Sequence, residues 1–180
     1  MVILGVDPGT AVTGYGVVVR SDDGAVALQE CGVIRTQPKA PLAERLRDIY
    51  EGVLDVMERH RPEAVAVEGV FFGKNVRSAV VLGHARGAIL LAAALHDVSV
   101  AEYPPAEVKS AVVGAGRATK EQVGLMVQRL LRLKAPPKPH DAADAVAVAL
   151  CHCYRGFGPA TRAPMRFSLQ MLNPETRNRR

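Results

Sequence analysis

The amino-acid sequence predicts an α/β protein with one mixed sheet of five strands flanked by helices. Two observations lead to this class. Three short segments rich in Val and Ile stand near the N-terminus and are joined by short turns, which favours antiparallel neighbours. After about residue 40, helical and extended patterns alternate, which favours parallel strands joined by helical crossovers. The length of 180 residues, with 48% hydrophobic and 23% charged residues, is typical of one globular domain.

The first three strands are predicted at residues 2–7, 14–20 and 26–36. They are separated by PGTAVTG and SDDG, which are rich in residues that favour turns. The first strand leads directly into Asp7. Since an unpaired buried carboxylate is costly, we expect Asp7 to be balanced by a cation, by hydrogen-bond donors or by a metal.

Helices and strands alternate along the next part of the chain. A helix is predicted from Leu42, because apolar residues then recur at helical spacing, and Pro62 ends it. The segment AVAVEGV is predicted to be a strand with a near-continuous apolar run, and it contains a second carboxylate, Glu68. A long helix over 75–96 and a strand with the sequence VSVAEY follow, up to a break at two consecutive prolines.

Two further helices are predicted before the C-terminal tail. One begins after Thr119, whose hydroxyl can cap it, and the other spans HDAADAVAVALCHCY with acidic residues at its start. Regular apolar periodicity ends after Tyr154. We therefore expect one domain over 1–155 and a basic, flexible tail over 156–180.

Basic residues are unevenly distributed along the chain. Residues 1–154 contain 17 basic and 17 acidic side chains, whereas residues 155–180 contain six arginines and one acid, Glu175. Residues 108–139 contain seven bases and only Glu121 as an acid. Such an excess suits a polyanion, of which nucleic acid is the usual example, although a solvated helix face explains the same charges without a ligand.

The sequence predicts a cytoplasmic protein without a membrane segment. The N-terminal MVILGVDPGT lacks the features of a secretory signal, and the longest apolar run, AILLAAAL, is far shorter than the ~20 residues of a membrane span. The three cysteines lack C-x-x-C spacing, which argues against a disulfide framework or a zinc site. Cys151 and Cys153 are two residues apart, so on a helix they point in different directions, and we expect them to be buried, free cysteines rather than metal ligands.

Four carboxylates can converge on one site. Asp7 and Glu68 end two predicted strands, and parallel neighbours bring their carboxyl ends to the same end of a sheet. Asp141 and Asp144 are three residues apart, on one face of the last helix. Each aspartate alone also fits a cap, a solvated acid or a turn, but Glu68 after AVAV has little structural explanation. Together the acids favour Mg²⁺ or Mn²⁺, and two such ions would stabilise the attacking and leaving oxygens of a phosphoryl transfer.

The chain resembles a known family over about residues 1–155. The segments GVDPGTAVTGYGVV, AVEGVFFGKNVRSAVVLGHARG, VKSAVVGAGRATKEQV and HDAADAVAVAL are similar, in this order, to the motifs of the RuvC family of Holliday-junction resolvases, which have a ribonuclease-H-like fold. The resemblance implies a homodimeric, divalent-metal-dependent endonuclease that makes paired nicks across four-way DNA junctions during recombination and repair. It implies that the catalytic acids are Asp7, Glu68, Asp141 and Asp144.

The resemblance also implies contacts with DNA. Lys109 and Lys120 match basic residues near the family's active site, and Phe71 matches an aromatic residue that contacts bases. Packing in the core is the alternative explanation for the consecutive Phe71 and Phe72. Lys120 would offset charge on the scissile phosphate. Backbone phosphates are expected to contact Lys74, Asn75, Arg77, Lys109 and Arg117, which would position the DNA without reading its sequence.

A symmetric junction needs two active sites at a fixed separation, which a two-fold dimer supplies. Gly83 and Gly87 lie on one face of the predicted helix over 75–96 and would allow a second helix to approach closely. Packing within the subunit explains the same glycines equally well. A branch-migration helicase complex is a further candidate partner.

Two other function classes fit parts of the sequence, but less well than a nuclease does. The segment DPGTAVTGYG also resembles the phosphate-binding hairpin of actin-like and sugar-kinase ATPases, but 180 residues leave no room for their second lobe. In a catalytically inert junction-binding module, four acids close to phosphates would oppose binding unless metal ions intervene. The metal-dependent nuclease is the favoured interpretation.

Overall fold

The computed structural model describes residues 1–69 and 76–155, and the side chains of residues 76–78 are also outside the description. Within these ranges the chain forms five strands and five helices. In chain order they are β1 (Val2–Asp7), β2 (Val12–Arg20), β3 (Val26–Arg35), α1 (Leu42–His60), β4 (Ala64–Glu68), α2 (Val76–Leu95), β5 (Ser99–Tyr103), α3 (Pro105–Val113), α4 (Lys120–Leu130) and α5 (His140–Arg155). All five predicted strands and all four predicted helices are confirmed.

The strands form one mixed sheet in the order β3-β2-β1-β4-β5. The first three strands pair antiparallel, and β4 and β5 continue the sheet parallel to β1. The short turns and the helical crossovers therefore produced the predicted strand directions. Because β1, β4 and β5 are parallel, their carboxyl ends lie at one end of the sheet.

Helices cover both faces of the sheet. On one face, α1 and α2 pack on Leu4, Val17 and Val65, and on the other face α3, α4 and α5 pack on residues such as Ile3 and Ala66. Adjacent residues of one strand thus enter opposite cores, which explains the near-continuous apolar sequence of β1 and β4. None of the helices in the described ranges has both the length and the apolar character needed to cross a lipid bilayer.

The sequence did not predict helix α3, because Pro104 and Pro105 at its start indicate only a break in the chain. Pro105 occupies the first turn of α3, where a missing N–H removes no helical hydrogen bond. The helix ends at Gly114, whose φ of 83° suits a glycine. The omission matters for the site because α3 carries Lys109.

Two local predictions are confirmed by the contacts. Thr119 accepts a hydrogen bond from the Gln122 amide, and the Gln122 side chain accepts one from the Thr119 amide, so α4 begins with a capping box. Cys151 and Cys153 are free and buried, while the free Cys31 is partly buried. His152 between them bonds to the Tyr103 hydroxyl at 2.8 Å, in the interior.

The helix α5 lies unusually close to the centre of the sheet. A Cβ added to Gly5, Gly14 or Gly16 would meet the helix at 2.0–2.4 Å, the nearest atoms being Ala145 O, Asp141 O and Val146 Cγ2 respectively. The helix that carries Asp141 and Asp144 can therefore approach β1 and β2 only because these three positions lack side chains.

Candidate active site

The site begins with two carboxyl groups at adjacent strand ends. Asp7 is the last residue of β1 and Glu68 the last of β4, one position beyond the paired residues Val6 and Val67. The two carboxyl groups are within hydrogen-bonding reach of each other. Burial, followed by the charge of Glu68, raises the pKa of Asp7 to about 8, and burial also raises the pKa of Glu68. Two side-by-side buried acids cannot both ionise readily without a cation.

Helix α5 adds a third acid and α4 adds a cation. The Lys120 ammonium donates a hydrogen bond to Asp144 Oδ2 at 2.6 Å. Asp144 is only 16% exposed whereas Lys120 is 61% exposed, so the lysine reaches inward from the rim. The bond to Asp144 is the main cause that raises the pKa of Lys120, and the charges of Asp7 and Asp141 add to it. Lys120 is therefore a fixed positive charge beside the acids.

Asp141 lies one helical turn before Asp144 and is partly exposed. Its charge contributes to the raised pKa of Lys120, so it faces the same region. Asp141 therefore lies near Lys120 and the other acids.

The acids do not form a closed cage. Among residues 1–69 and 76–155, no group of three or more His, Cys, Asp or Glu side chains is arranged so that it could hold a metal ion. Asp7 and Glu68 are paired with each other, and Asp144 is bound by Lys120. The donors are nonetheless all carboxylate oxygens, which are the ligands that Mg²⁺ and Mn²⁺ prefer, and burial beside Glu68 is what raises the pKa of Asp7.

A cavity of about 200 Å³ opens beside the acids. Its polar rim consists of Glu68, Asp144, Lys109 and Lys120. Its apolar wall includes Val108 of α3 and Val123 of α4, which sequence analysis did not identify. The charge of Lys109 partly opposes the rise that burial causes in the pKa of Glu68, so a second cation lies within electrostatic range of the carboxyl pair. A larger cavity of about 370 Å³ near Met57 and His96 lies at the opposite end of the parallel strands and has no comparable charge cluster.

Only some of the other residues expected to contact DNA lie in the described part of the chain. Arg117 is exposed in the loop between α3 and α4, three residues before Lys120. Phe71, Lys74 and Asn75 lie outside the described residues, as does the side chain of Arg77. The basic tail over 156–180 is also outside them.

Comparison with known proteins identifies the family to which this arrangement belongs. The family model described as crossover junction endodeoxyribonuclease RuvC matches residues 3–152. The chain belongs to the RuvC family. A RuvC relative from Pelotomaculum thermopropionicum is 53% identical over 154 residues, which cover 86% of this chain and 93% of the relative. The predicted enzyme class, a crossover junction endodeoxyribonuclease acting in recombination and repair, is thereby confirmed.

Solved structures agree with this assignment. The structure of Thermus thermophilus RuvC matches with a TM-score of 0.80 and 44% identity, covering 87% of this chain and 95% of that chain. Thermus thermophilus RuvC in complex with a Holliday junction substrate matches with a TM-score of 0.79 and 41% identity, over the same shares of the two chains. The ribonuclease-H-like fold is confirmed, and the nucleases of this family depend on a metal.

Proposed function

We propose that this chain resolves four-way DNA junctions as a homodimer, by symmetric and metal-dependent hydrolysis of two phosphodiester bonds. The observation that carries the proposal is the carboxyl pair of Asp7 and Glu68 at adjacent strand ends, with Asp144 and Lys120 beside it. Without cations, this concentration of acids would repel the phosphates of any DNA substrate. A nuclease that uses divalent ions turns the same acids into ligands.

Asp7, Glu68, Asp141 and Asp144 would hold the metal, with Mg²⁺ as the ion, Mn²⁺ as its substitute and two ions in each site. Bound there, the ions would polarise the scissile phosphate and increase the acidity of the attacking water. In the structure, the Lys120 ammonium donates a hydrogen bond to Asp144 Oδ2 at 2.6 Å. If Asp144 turns to a cation, the lysine is released and can offset negative charge that develops on the phosphate. The ion pair thus keeps Lys120 close to where it is needed.

Four-way junction DNA is the proposed substrate, and its presence in the complex of the Thermus thermophilus relative supports this. Lys109, on the rim of the cavity, and the exposed Arg117 are suited to backbone phosphates. Lys74, Asn75 and Arg77 are proposed to extend this contact, and Phe71 to stack at an opened base step, worth ~1–3 kcal/mol. These four residues follow Glu68 closely in sequence.

A second copy of the chain is the proposed occupant of one face of α2. Val80, Leu91 and Leu95 are exposed along the helix and share this face with Gly83 and Gly87. A Cβ at either glycine would meet nothing within 4 Å among the described residues, so packing against that part of the subunit does not explain them. A helix of a second subunit would bury this apolar face and give a symmetric substrate two active sites. We define Val80, Gly83, Gly87, Leu91 and Leu95 as the α2 face.

The test is cleavage of a labelled, immobile four-way junction beside a linear duplex of the same sequence, in Mg²⁺, Mn²⁺ or EDTA. We expect paired nicks only in the junction and only with metal. Asp7→Asn should abolish cleavage but keep junction binding, because it removes a metal ligand and not a DNA contact. Asp22→Asn makes the same chemical change in the exposed turn after β2 and should cleave normally.

Each alternative predicts a different result. Tight junction binding without cleavage in any metal would favour the inert binding module, and neither binding nor cleavage would reopen the ATPase interpretation. Loss of junction binding in Asp7→Asn would make Asp7 a structural residue.

A cellular location and a further partner complete the proposal. We place the protein in the cytoplasm because its substrate is DNA and because Cys31, Cys151 and Cys153 are all free thiols, as is usual in a reducing compartment. A branch-migration helicase complex is the proposed macromolecular partner beyond DNA, and co-purification with junction-bound helicase would test it.

A further inference from the structure

The turn that follows Asp7 is held by groups from two distant parts of the chain. Residues 8–11 connect β1 to β2, and three consecutive carbonyls in this turn accept hydrogen bonds. Gly9 O accepts from the Thr13 hydroxyl at 2.7 Å. Thr10 O accepts from the Thr36 hydroxyl at 2.6 Å, and Ala11 O accepts from the Thr36 amide at 3.2 Å. Thr36, just after β3, therefore binds two adjacent carbonyls of the turn.

Helix α1 contributes a charged donor to the same point. Arg45 Nε donates to Thr10 O at 3.1 Å and to the Thr36 hydroxyl at 3.1 Å. Arg45 lies in the first turns of α1, while Thr36 is only 7% exposed. Hydrogen bonds from a charged donor are stronger than neutral ones, and those in a partly buried place are little weakened by water. We call Arg45 and Thr36 the turn brace.

The brace acts on the backbone next to Asp7 rather than on its charge. The neighbouring charges that most affect the carboxyl group of Asp7 are Glu68, Asp144 and Lys120, and Arg45 is not among them. Asp7 pairs with Gly14 on the other side of the turn, so the turn determines where β1 ends and where the Asp7 carboxyl group stands. That position must be maintained against repulsion from Glu68 and Asp144 whenever these acids are ionised.

We propose that Arg45 and Thr36 are positioning residues for the metal site, which hold the β1–β2 turn so that Asp7 remains placed to bind a divalent cation. This inference rests on the proposed metal-dependent function. Residues that orient a metal ligand from outside typically change metal affinity or activity by ~10–100-fold when they are lost. A residue that only stabilised the fold would change the thermal midpoint without a specific effect on metal affinity.

The experiment uses four variants of the full chain. Thr36→Val replaces the hydroxyl by a methyl group at nearly constant shape, whereas Thr36→Ser keeps the hydroxyl and loses the methyl group. Arg45→Met removes the donor, and Arg47→Met is its matched control, because Arg47 is on the same helix, is 64% exposed and pairs only with Asp48 and Glu51 among the described residues. For each variant, Mn²⁺ binding to the DNA-free protein is measured by calorimetry, together with the Mg²⁺ dependence of junction cleavage, junction binding in EDTA and the thermal midpoint.

We expect Thr36→Val and Arg45→Met to weaken Mn²⁺ binding by about tenfold and to raise the Mg²⁺ concentration for half-maximal cleavage by a similar factor. Cleavage at saturating Mg²⁺ and junction binding in EDTA should be nearly unchanged. Thr36→Ser and Arg47→Met should match the parent protein.

Unaltered Mn²⁺ binding in the folded Thr36→Val variant would overturn the inference, whatever happens to Arg45→Met. A fall in the thermal midpoint with unchanged Mn²⁺ affinity would do the same and make the brace purely structural. Failure of the proposed function is distinguishable, because the parent protein would then show no metal-dependent cleavage at all.

Discussion

The carboxyl group of Asp7 is buried beside Glu68, and its pKa is raised to about 8. Burial is the main cause, the charge of Glu68 comes second and that of Asp144 adds to it. A carboxyl group in this state binds a proton when no metal is present, so protons and divalent cations compete for it. The protonation of Asp7 therefore makes stability and metal binding depend on pH.

Without metal, stability should fall as pH rises. The pKa of Asp7 is about 8 in the folded chain, against 3.8 for an unperturbed aspartate. Between these values the folded state binds more protons than the unfolded state, so the free energy of unfolding decreases with pH across this window. Thermal midpoints in EDTA, taken between pH 5 and pH 8, should fall for the parent protein and fall less for Asp7→Asn. Added Mg²⁺ should reverse the loss in the parent alone.

An identical decrease in both proteins would assign the pH effect to other groups. Asp22→Asn is the control here too, because Asp22 is exposed and should leave the parent's pH dependence unaltered.

Contacts between residues far apart in sequence were not predictable. Lys120 and Asp144 were both identified from the sequence, but nothing in it indicates that they bond to each other across 24 residues. The same holds for Tyr103 and His152, which bond at 2.8 Å across 49 residues. Side-chain pairing of this kind depends on how α4, α5 and β5 pack together.

Among the elements, α5 has the largest effect on the site. It carries Asp141 and Asp144, and three glycines of β1 and β2 allow it to lie directly on the sheet. Its helical pattern was predicted correctly. The role of the glycines was not, because a glycine in a strand gives no indication of which element passes over it.

Replacing Gly14 should displace α5. In Gly14→Ala the new Cβ would stand 2.0 Å from Asp141 O, a backbone atom that cannot move alone. We expect a loss of ~1–3 kcal/mol in the free energy of unfolding and a decrease of roughly 100-fold in the cleavage rate, because the acids of α5 are displaced. Denaturant unfolding and junction cleavage measure the two effects.

Gly124→Ala is the control for this change. Gly124 lies in α4, where a Cβ would be 4.0 Å from the nearest neighbour, so alanine should be tolerated or slightly stabilising. Normal cleavage by Gly14→Ala would show that the sheet and α5 can separate without disturbing the site.

The α2 face should control dimerisation. Leu91→Glu places a charge on an exposed apolar surface, and we expect the dimer dissociation constant to increase by roughly 30-fold or more, which corresponds to ~2 kcal/mol. Sedimentation at several protein concentrations measures it. Leu125→Glu is the matched control, since Leu125 of α4 is 50% exposed and Leu91 is 54% exposed. A dimer that resists Leu91→Glu would place the interface elsewhere.

At the scale of the whole molecule, the excess of positive charge lies in the C-terminal segment. Residues 159–180 contain five arginines and one acid, Glu175, while residues 1–154 are balanced. If this tail contacts phosphates, removing residues 159–180 should weaken junction binding and make the salt dependence less steep, by ~0.9 in the log–log slope for each lost contact. Binding titrations over a range of salt concentrations measure this slope.

A full-length variant with the five tail arginines changed to glutamine separates charge from length. It should behave like the truncated chain. An unchanged slope in both proteins would exclude the tail from DNA binding.

Sequence patterns alone predicted the class of fold, the directions of the strands, the cap of α4 and the acids at the ends of β1 and β4. These follow from local rules: apolar periodicity, turn residues, and the fact that parallel strands end together. The resemblance to the RuvC family also rested on local motifs.

How these parts meet depends on contacts that form only in the folded chain. In the fold, Pro105 begins the helix that carries Lys109, and the absence of a side chain at Gly14 lets α5 lie on the sheet. Lys120 donates a hydrogen bond to Asp144, and Arg45 and Thr36 hold the turn after Asp7 by hydrogen bonds. The physical reason is the same in each case. Close packing and hydrogen bonds act over a few ångströms between residues that are tens of positions apart, and a one-dimensional pattern carries no measure of that distance.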